Sequence, residues 1–187
     1  MTYEVATLGG GCFLVMEAVF QHLRGVKRTS TGYAGGSHEF PTYEEVVLGS
    51  TGHTCVVQVE YDKNIVNYDN LLDVFFLIQN AQQTSLQLVR QDHRVKSQDA
   101  RIFYHGPAQH KLALQALARQ QKMQGQQGQQ GHLLQIQIVP AGEFYPSEDH
   151  LQSFYKLNRQ NQYSLEVVAP KIQLARNFVK SQLAVSA

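Results

Sequence analysis

The sequence predicts a layered α+β or α/β fold, and three observations carry that expectation. Short segments with strand-like alternation are interleaved with segments of helical apolar spacing along the chain. Glycine and proline clusters fall between these segments rather than inside them. The 187 residues, 43% apolar and 17% charged, are enough to close one hydrophobic core, so a single domain over residues 1–187 is expected.

Glu4 to Leu8 reads as a first strand, followed by Gly9-Gly10-Gly11 and an apolar helix from Phe13 to Leu23, so Cys12 opens that helix. Val26 to Tyr33 is β-rich and closed by Gly35-Gly36. Pro41 to Val46 predicts a short helix with proline in its first turn, ended by Gly49. Thr54 to Tyr61 alternates apolar and polar residues, and Tyr68 to Ile78 has helical spacing. Ala81 to Asp99 is polar and without clear period, which predicts a long loop. Arg101 to Tyr104 reads as a short strand and Ala108 to Met123 as a helix. The run from Gln124 to Gly131, made only of glutamine and glycine, predicts a solvated linker before a strand at Leu133 to Val139. From Val167 to Val185 an amphipathic helix is expected, interrupted by Pro170, with Ile172, Leu174, Ala175, Phe178 and Leu183 facing inward.

Composition excludes several functions. The formal net charge is +1, and Lys and Arg are scattered, so there is no basic stripe for nucleic acid or an anionic membrane surface. No apolar run approaches the roughly 20 residues that span a bilayer. Met1-Thr2-Tyr3-Glu4 lacks the basic and apolar regions of a secretory signal, which predicts a soluble, cytoplasmic protein, expected as a monomer.

Cys12 and Cys55 are the two cysteines, and their spacing fits neither a zinc site nor a CxxC redox motif, so no metal and no cofactor are expected. Two such cysteines can equally be inert buried thiols. For Cys12 the local sequence points to chemistry. A thiol attacks as thiolate, and free thiols ionise near pH 8.5. The glycine turn lets backbone N–H groups converge on the first helical turn, where the helix dipole favours an anion. A phosphate cradle is the rival reading, but neither GxxxxGK[ST] nor GxGxxG is present.

Several further blocks occur in order: Gly11-Cys12-Phe13 with Glu17, Gly32-Tyr33-Ala34-Gly35-Gly36, Pro41-Thr42-Tyr43-Glu44-Glu45-Val46, Gly49 and Thr51-Gly52-His53. Val57 to Asp62 with Tyr68, Leu71-Leu72 and Phe75-Phe76 follow, then Phe144-Tyr145-Pro146 with Glu148-Asp149. Through these blocks the chain resembles the peptide methionine sulfoxide reductase A family. The resemblance implies a two-layer α/β sandwich with a mixed central sheet, flanking helices and a ferredoxin-like core. It also implies reduction of the S epimer of methionine sulfoxide by Cys12, which becomes a sulfenic acid. The substrates implied are free or protein-bound methionine sulfoxide, and the reductant is thioredoxin or a small thiol.

By the same resemblance, Phe13 and the residue after it form the pocket for the substrate methyl group. Tyr43 and a second tyrosine bind the sulfoxide oxygen together with a glutamate, and Asp92 contacts the substrate. Three positions depart from the family pattern. Leu14 replaces its tryptophan, Cys55 replaces its glutamate, and the second tyrosine expected shortly after Asp92 is absent, with Ser97 or Gln98 nearby. General acid catalysis contributes about 10²–10⁴-fold, so the missing carboxyl should slow reduction unless another donor serves. Tyr43 and the Cys55 thiol are the candidates. Because the family's glutamate reaches the pocket, Cys55 should lie near Cys12 and could act as a resolving thiol. Glu17, His53 and Glu148 are read as supporting residues. Glu17 suits an early helical turn electrostatically and His53 suits the entry to a strand. The competing readings are a degenerate homologue that binds methionine-containing peptides without efficient reduction, and a different cysteine chemistry such as acyl transfer with His53 as a distant base.

Overall fold

In the computed structural model, which describes residues 3–89, 100–126 and 136–185, six strands form one mixed sheet. They are β1 (Tyr3–Gly9), β2 (Val26–Ala34), β3 (Thr54–Asp62), β4 (Ala100–Tyr104), β5 (Ile136–Pro140) and β6 (Phe144–Pro146), in the order β5-β4-β1-β3-β2-β6. The central β4-β1-β3-β2 pairings are antiparallel, and β5 joins β4 in parallel. With α1 (Phe13–Gln21) between β1 and β2, and α3 (Tyr68–Val89) between β3 and β4, this is the split βαβ arrangement of a ferredoxin-like core.

The sheet sorts its side chains by parity. Cys55, Val57, Val59 and Tyr61 of β3 join Ala6 and Leu8 of β1 in the large core that also holds Phe13, Met16 and Phe20 of α1 and Leu71, Leu72 and Phe75 of α3. The intervening Val56 meets Ala34 and Phe103 in a small cluster on the other face. Cys55 and Tyr33, paired across β3 and β2, therefore both face the helical layer that begins at Cys12.

The short helix α2 (Tyr43–Leu48) is set by a reciprocal cap. Thr42 Oγ1 accepts the Glu45 N–H at 3.4 Å and the Thr42 N–H donates to Glu45 Oε2 at 2.9 Å, while Gly49 ends the helix with φ 75°. Pro41 thus lies before the cap rather than in the first turn, because Thr42 supplies the capping hydroxyl. Helix α3 continues through Val89, so the loop expected from Ala81 onward is helical in its first half; the rest, Arg90 to Asp99, lies outside the described residues. Glutamine has good helix propensity, which carries a turn even without an apolar period. Helix α4 (Pro107–Gln126) likewise runs into the expected linker, with Gln124 buried and its amide donating to Asn80 Oδ1 at 3.0 Å.

After β6 come a 3₁₀ turn at Asp149–Leu151, the one-turn α5 (Phe154–Leu157), a π turn at Ser164–Val168 and α6 (Ala169–Val185). Pro170 does not interrupt this last helix. It follows directly on the wide π turn, where a missing amide is most easily tolerated. Ile172 and Ala175 are buried and Phe178 packs on the core, whereas Leu174 is 40% exposed; the Leu183 side chain lies outside the described residues.

Glu17 of α1 is 1% exposed and accepts a hydrogen bond from Thr29 Oγ1 at 3.3 Å, with the Ser153 and Phe154 N–H groups also directed at it. Ser153, at φ 52°, turns the chain so that these successive amides converge. Burial pushes the Glu17 carboxyl above its ordinary range, and the hydrogen bonds only partly offset this. The folded state therefore holds the Glu17 proton more tightly than the unfolded chain. Its stability should fall as pH rises from the ordinary carboxyl value through the raised one. Glu17→Gln is expected to flatten that part of the profile, as read from thermal midpoints against pH; an unchanged slope would refute the assignment.

Candidate active site

Cys12 is placed by the turn that leaves β1. Gly10, at φ 120°, donates its N–H to the Cys55 carbonyl at 3.2 Å, and its own carbonyl accepts from the buried Gln79 amide at 3.2 Å. An added Cβ at Gly10 would sit 2.6 Å from the Ala100 Cα, so the turn needs glycine for both its dihedral and its close approach to β4. Cys12 follows as the N-cap of α1 in extended conformation, and its carbonyl accepts the Met16 N–H at 3.2 Å. Its sulfur makes no capping hydrogen bond to the first turn. Sγ instead lies 2.9 Å from Tyr163 Oη. The residue is half-buried and packs against the main core.

Beside the sulfur stands a stack of rings. Phe13 is buried, Tyr43 lies parallel to it at 5.8 Å and 10°, and Tyr33 meets it at 6.2 Å and 31°. Glu148 braces the two tyrosines. Its Oε2 accepts the Tyr33 hydroxyl at 2.6 Å and its Oε1 accepts the Tyr43 N–H at 2.9 Å. Burial pushes the Glu148 carboxyl up, but these donors outweigh it and hold the group below the usual carboxylate range. Tyr33 moves far up, first through burial and then through the Glu148 carboxylate. The Tyr43 phenol is also raised, by burial first and then by the proximity of the Cys55 and Cys12 sulfurs. One phenol therefore feels both sulfurs, and at 40% exposure its ring is still open to solvent.

Tyr163 arrives from the far end of the chain. Its N–H donates to Asn161 Oδ1 at 2.9 Å, the Phe154 ring meets it edge-on at 6.5 Å, and the π turn begins at the next residue. Burial raises its phenol far above the ordinary range, and the neighbouring Cys12 sulfur adds to the shift. Such wide turns often occur at functional sites, where the extra residue re-aims a side chain.

The other predicted positions fall as follows. Leu14 is half-buried against the core at the start of α1, and Cys55 is 1% exposed on β3, paired with Tyr33 of β2. His53 is buried, and its ring is held by two backbone groups: Nδ1 accepts the Gly36 N–H at 3.1 Å and Nε2 donates to the His38 carbonyl at 2.8 Å. Both ring nitrogens are thus committed to holding two loops together. Asp92, with Ser97 and Gln98, lies outside the described residues. The sequence reading missed Tyr163, Gln79 and the inward orientation of Tyr33. Tyr33 was available from strand parity, since it shares a face with Thr31. Tyr163 sits in a polar stretch with no period, and nothing local connects it to a cysteine 151 residues away.

This sheet places a half-buried thiol at a helix entrance, beside the stacked Phe13 and Tyr43 rings and within 2.9 Å of the Tyr163 phenol. The family model for peptide methionine sulfoxide reductase matches residues 4–183. A relative named peptide methionine sulfoxide reductase MsrA from Polynucleobacter asymbioticus is 37% identical over 98% of this chain and 93% of its own length. Its namesake from Natronomonas pharaonis is 40% identical over 91% of this chain and 92% of its own. Methionine sulfoxide reductase A of Corynebacterium diphtheriae superposes with a TM-score of 0.68 at 29% identity, covering 85% of this chain and 76% of that one. The reduced form of Mxr1 from Saccharomyces cerevisiae shares the fold, with a TM-score of 0.63 at 22% identity over 85% of this chain and 87% of its own. The chain belongs to the peptide methionine sulfoxide reductase family.

Proposed function

We propose that this chain is a peptide-methionine (S)-S-oxide reductase in which Cys12 attacks the sulfoxide sulfur. The observation that carries the reading is the half-buried Cys12 sulfur at the entrance of α1, with the Phe13–Tyr43 stack beside it and a phenol oxygen 2.9 Å away. Phe13 and Leu14 form the apolar wall for the substrate methyl group, and Asp92 makes a further substrate contact. The Tyr43 hydroxyl donates to the sulfoxide oxygen. Glu148 holds Tyr43 at its backbone, and Glu17 and His53 hold the surrounding framework.

The reaction is balanced without a cofactor. Cys12–SH and the sulfoxide give Cys12–SOH and the thioether, with the oxygen passing from one sulfur to the other. Cys55 then serves as the resolving thiol: its sulfur bonds to that of Cys12 and water leaves. Thioredoxin or a small thiol returns two electrons and restores both cysteines. Support comes from the Gly10 N–H bond to the Cys55 carbonyl and from the influence of both sulfurs on Tyr43. The enzyme acts in the cytoplasm as a single-domain monomer; among the described residues no helix is long and apolar enough to cross a membrane.

The test is turnover on each sulfoxide epimer with dithiothreitol as reductant, with reduction expected of the S epimer alone. Negligible product from both epimers would leave only a peptide-binding role. For the second step, one equivalent of methionine sulfoxide should remove both titratable thiols from the wild type. Cys55→Ser should instead stop at a trappable Cys12 sulfenic acid. A wild type that stops there too would dismiss Cys55 as the resolving thiol.

A further inference from the structure

Position 55 holds a thiol where the family pattern has a carboxylic acid, so the proposed reduction needs another source for the proton that the sulfoxide oxygen takes up. The Tyr163 hydroxyl lies in contact with the reacting sulfur, at 2.9 Å. Three features fix it there. The Asn161 carboxamide oxygen holds its backbone N–H at 2.9 Å, the Phe154 ring flanks it at 6.5 Å, and the neighbouring Ser164 is fully buried at the start of the π turn. Tyr43 by contrast is 40% exposed, and the proposed reading already assigns its hydroxyl to holding the sulfoxide oxygen.

We infer that Tyr163 is a catalytic residue that relays the Cys12 thiol proton to the sulfoxide oxygen. This rests on the proposed reductase reading and adds a residue to it. A hydroxyl in contact with the attacking sulfur comes within reach of the sulfoxide oxygen when the substrate docks with its S=O bond turned to the Tyr163 side, because that oxygen sits one bond from the sulfur under attack. As Sγ bonds to the substrate sulfur, the thiol proton moves to Tyr163 Oη and the phenol proton moves to the sulfoxide oxygen. The protonated oxygen then transfers to Sγ and the S–S bond breaks, with its electron pair left on the thioether. The Cys12 sulfur is oxidised by two electrons and the substrate sulfur is reduced by two. Tyr163 begins and ends neutral, which suits a phenol whose burial opposes ionisation.

The experiment is single-turnover reduction of methionine sulfoxide by the full chain and by Tyr163→Phe, run beside alkylation of Cys12 by iodoacetamide. Alkylation needs the thiolate but no acid. Tyr163→Phe is expected to reduce sulfoxide about 10²-fold more slowly, with alkylation changed less than about 3-fold. A parallel fall in both rates would make Tyr163 a group that only tunes the thiol, and would overturn the relay. So would an undiminished or faster reduction, the latter marking the phenol as a plug over Cys12. Wild-type protein provides a check that does not depend on the variant folding: its single-turnover rate should be clearly lower in heavy water, and an equal rate would also overturn the relay. A wild type that forms no methionine at all would defeat the reductase reading itself, whereas normal wild-type turnover with an unaffected variant defeats only the relay.

Discussion

Cys12→Ser is expected to lower methionine sulfoxide reduction by at least about 10³-fold while leaving the thermal midpoint nearly unchanged. The loss is large because every chemical step begins at one sulfur. A serine hydroxyl is far less acidic than a thiol, and oxidation of its oxygen would have no counterpart to the sulfenic acid. The fold should tolerate the change. Cys12 is half-buried at a helix cap, and serine is a better N-cap residue than cysteine. The measurement is steady-state methionine production alongside a melting curve. Residual activity above about one hundredth of wild type would place the nucleophile elsewhere, and Cys55, at 1% exposure, would have to supply it.

The same cap explains what the sequence could and could not reveal. Strand β3 was legible because one period-2 pattern decides which residues face the helices, and Val57, Val59 and Tyr61 follow it into the core. The glycines before Cys12 were legible as a turn, and the helix after Pro41 was legible too, but its cap was not, because Thr42 rather than the proline sets its start through reciprocal bonds with Glu45. The chain between Ala81 and Val89 was not, because its polar residues carry helix propensity but no apolar stripe to mark it. Strand β6 is three residues long and takes its place by pairing with Gly32, Tyr33 and Ala34 rather than by any alternation of its own. Glycine at 32 lets it come so near: a Cβ there would lie 2.4 Å from the Tyr145 carbonyl oxygen.

Site residues divide along the same line. Phe13 and Tyr43 lie in blocks that resemble the family's motifs, so the resemblance could nominate them although no local period marks them. Tyr163 reaches Cys12 only because α6 and the π turn fold back over α1, a contact that depends on the assembled helical layer. Tyr33 and Glu148 meet only once β6 has docked on β2, which carries the following turn to the edge of the stack.

Gly10→Ala tests whether the backbone turn, rather than the helix alone, positions the sulfur. At φ 120° an alanine is strained by about 1–3 kcal/mol. Its Cβ would lie 2.6 Å from the Ala100 Cα, a backbone atom that cannot swing aside, and such overpacking costs about a further 1–3 kcal/mol. Together these predict a loss of about 2–6 kcal/mol and a midpoint lower by roughly 4–24 °C for a chain of this size. The turn cannot relax without weakening the bonds from Gly10 to the Cys55 carbonyl and from Gln79 to Gly10, so Cys12 should move away from Tyr163. Sulfoxide reduction at a temperature where the variant is folded should then fall more than about 10-fold, since small misplacements of a reacting group are costly. Gly106→Ala is the control, because an added Cβ there meets nothing within 4 Å. It should shift stability by less than about 1 kcal/mol and leave activity intact. Equal behaviour of the two variants in urea unfolding would mean that the turn after β1 yields freely, and that the position of the thiol is set by α1 alone.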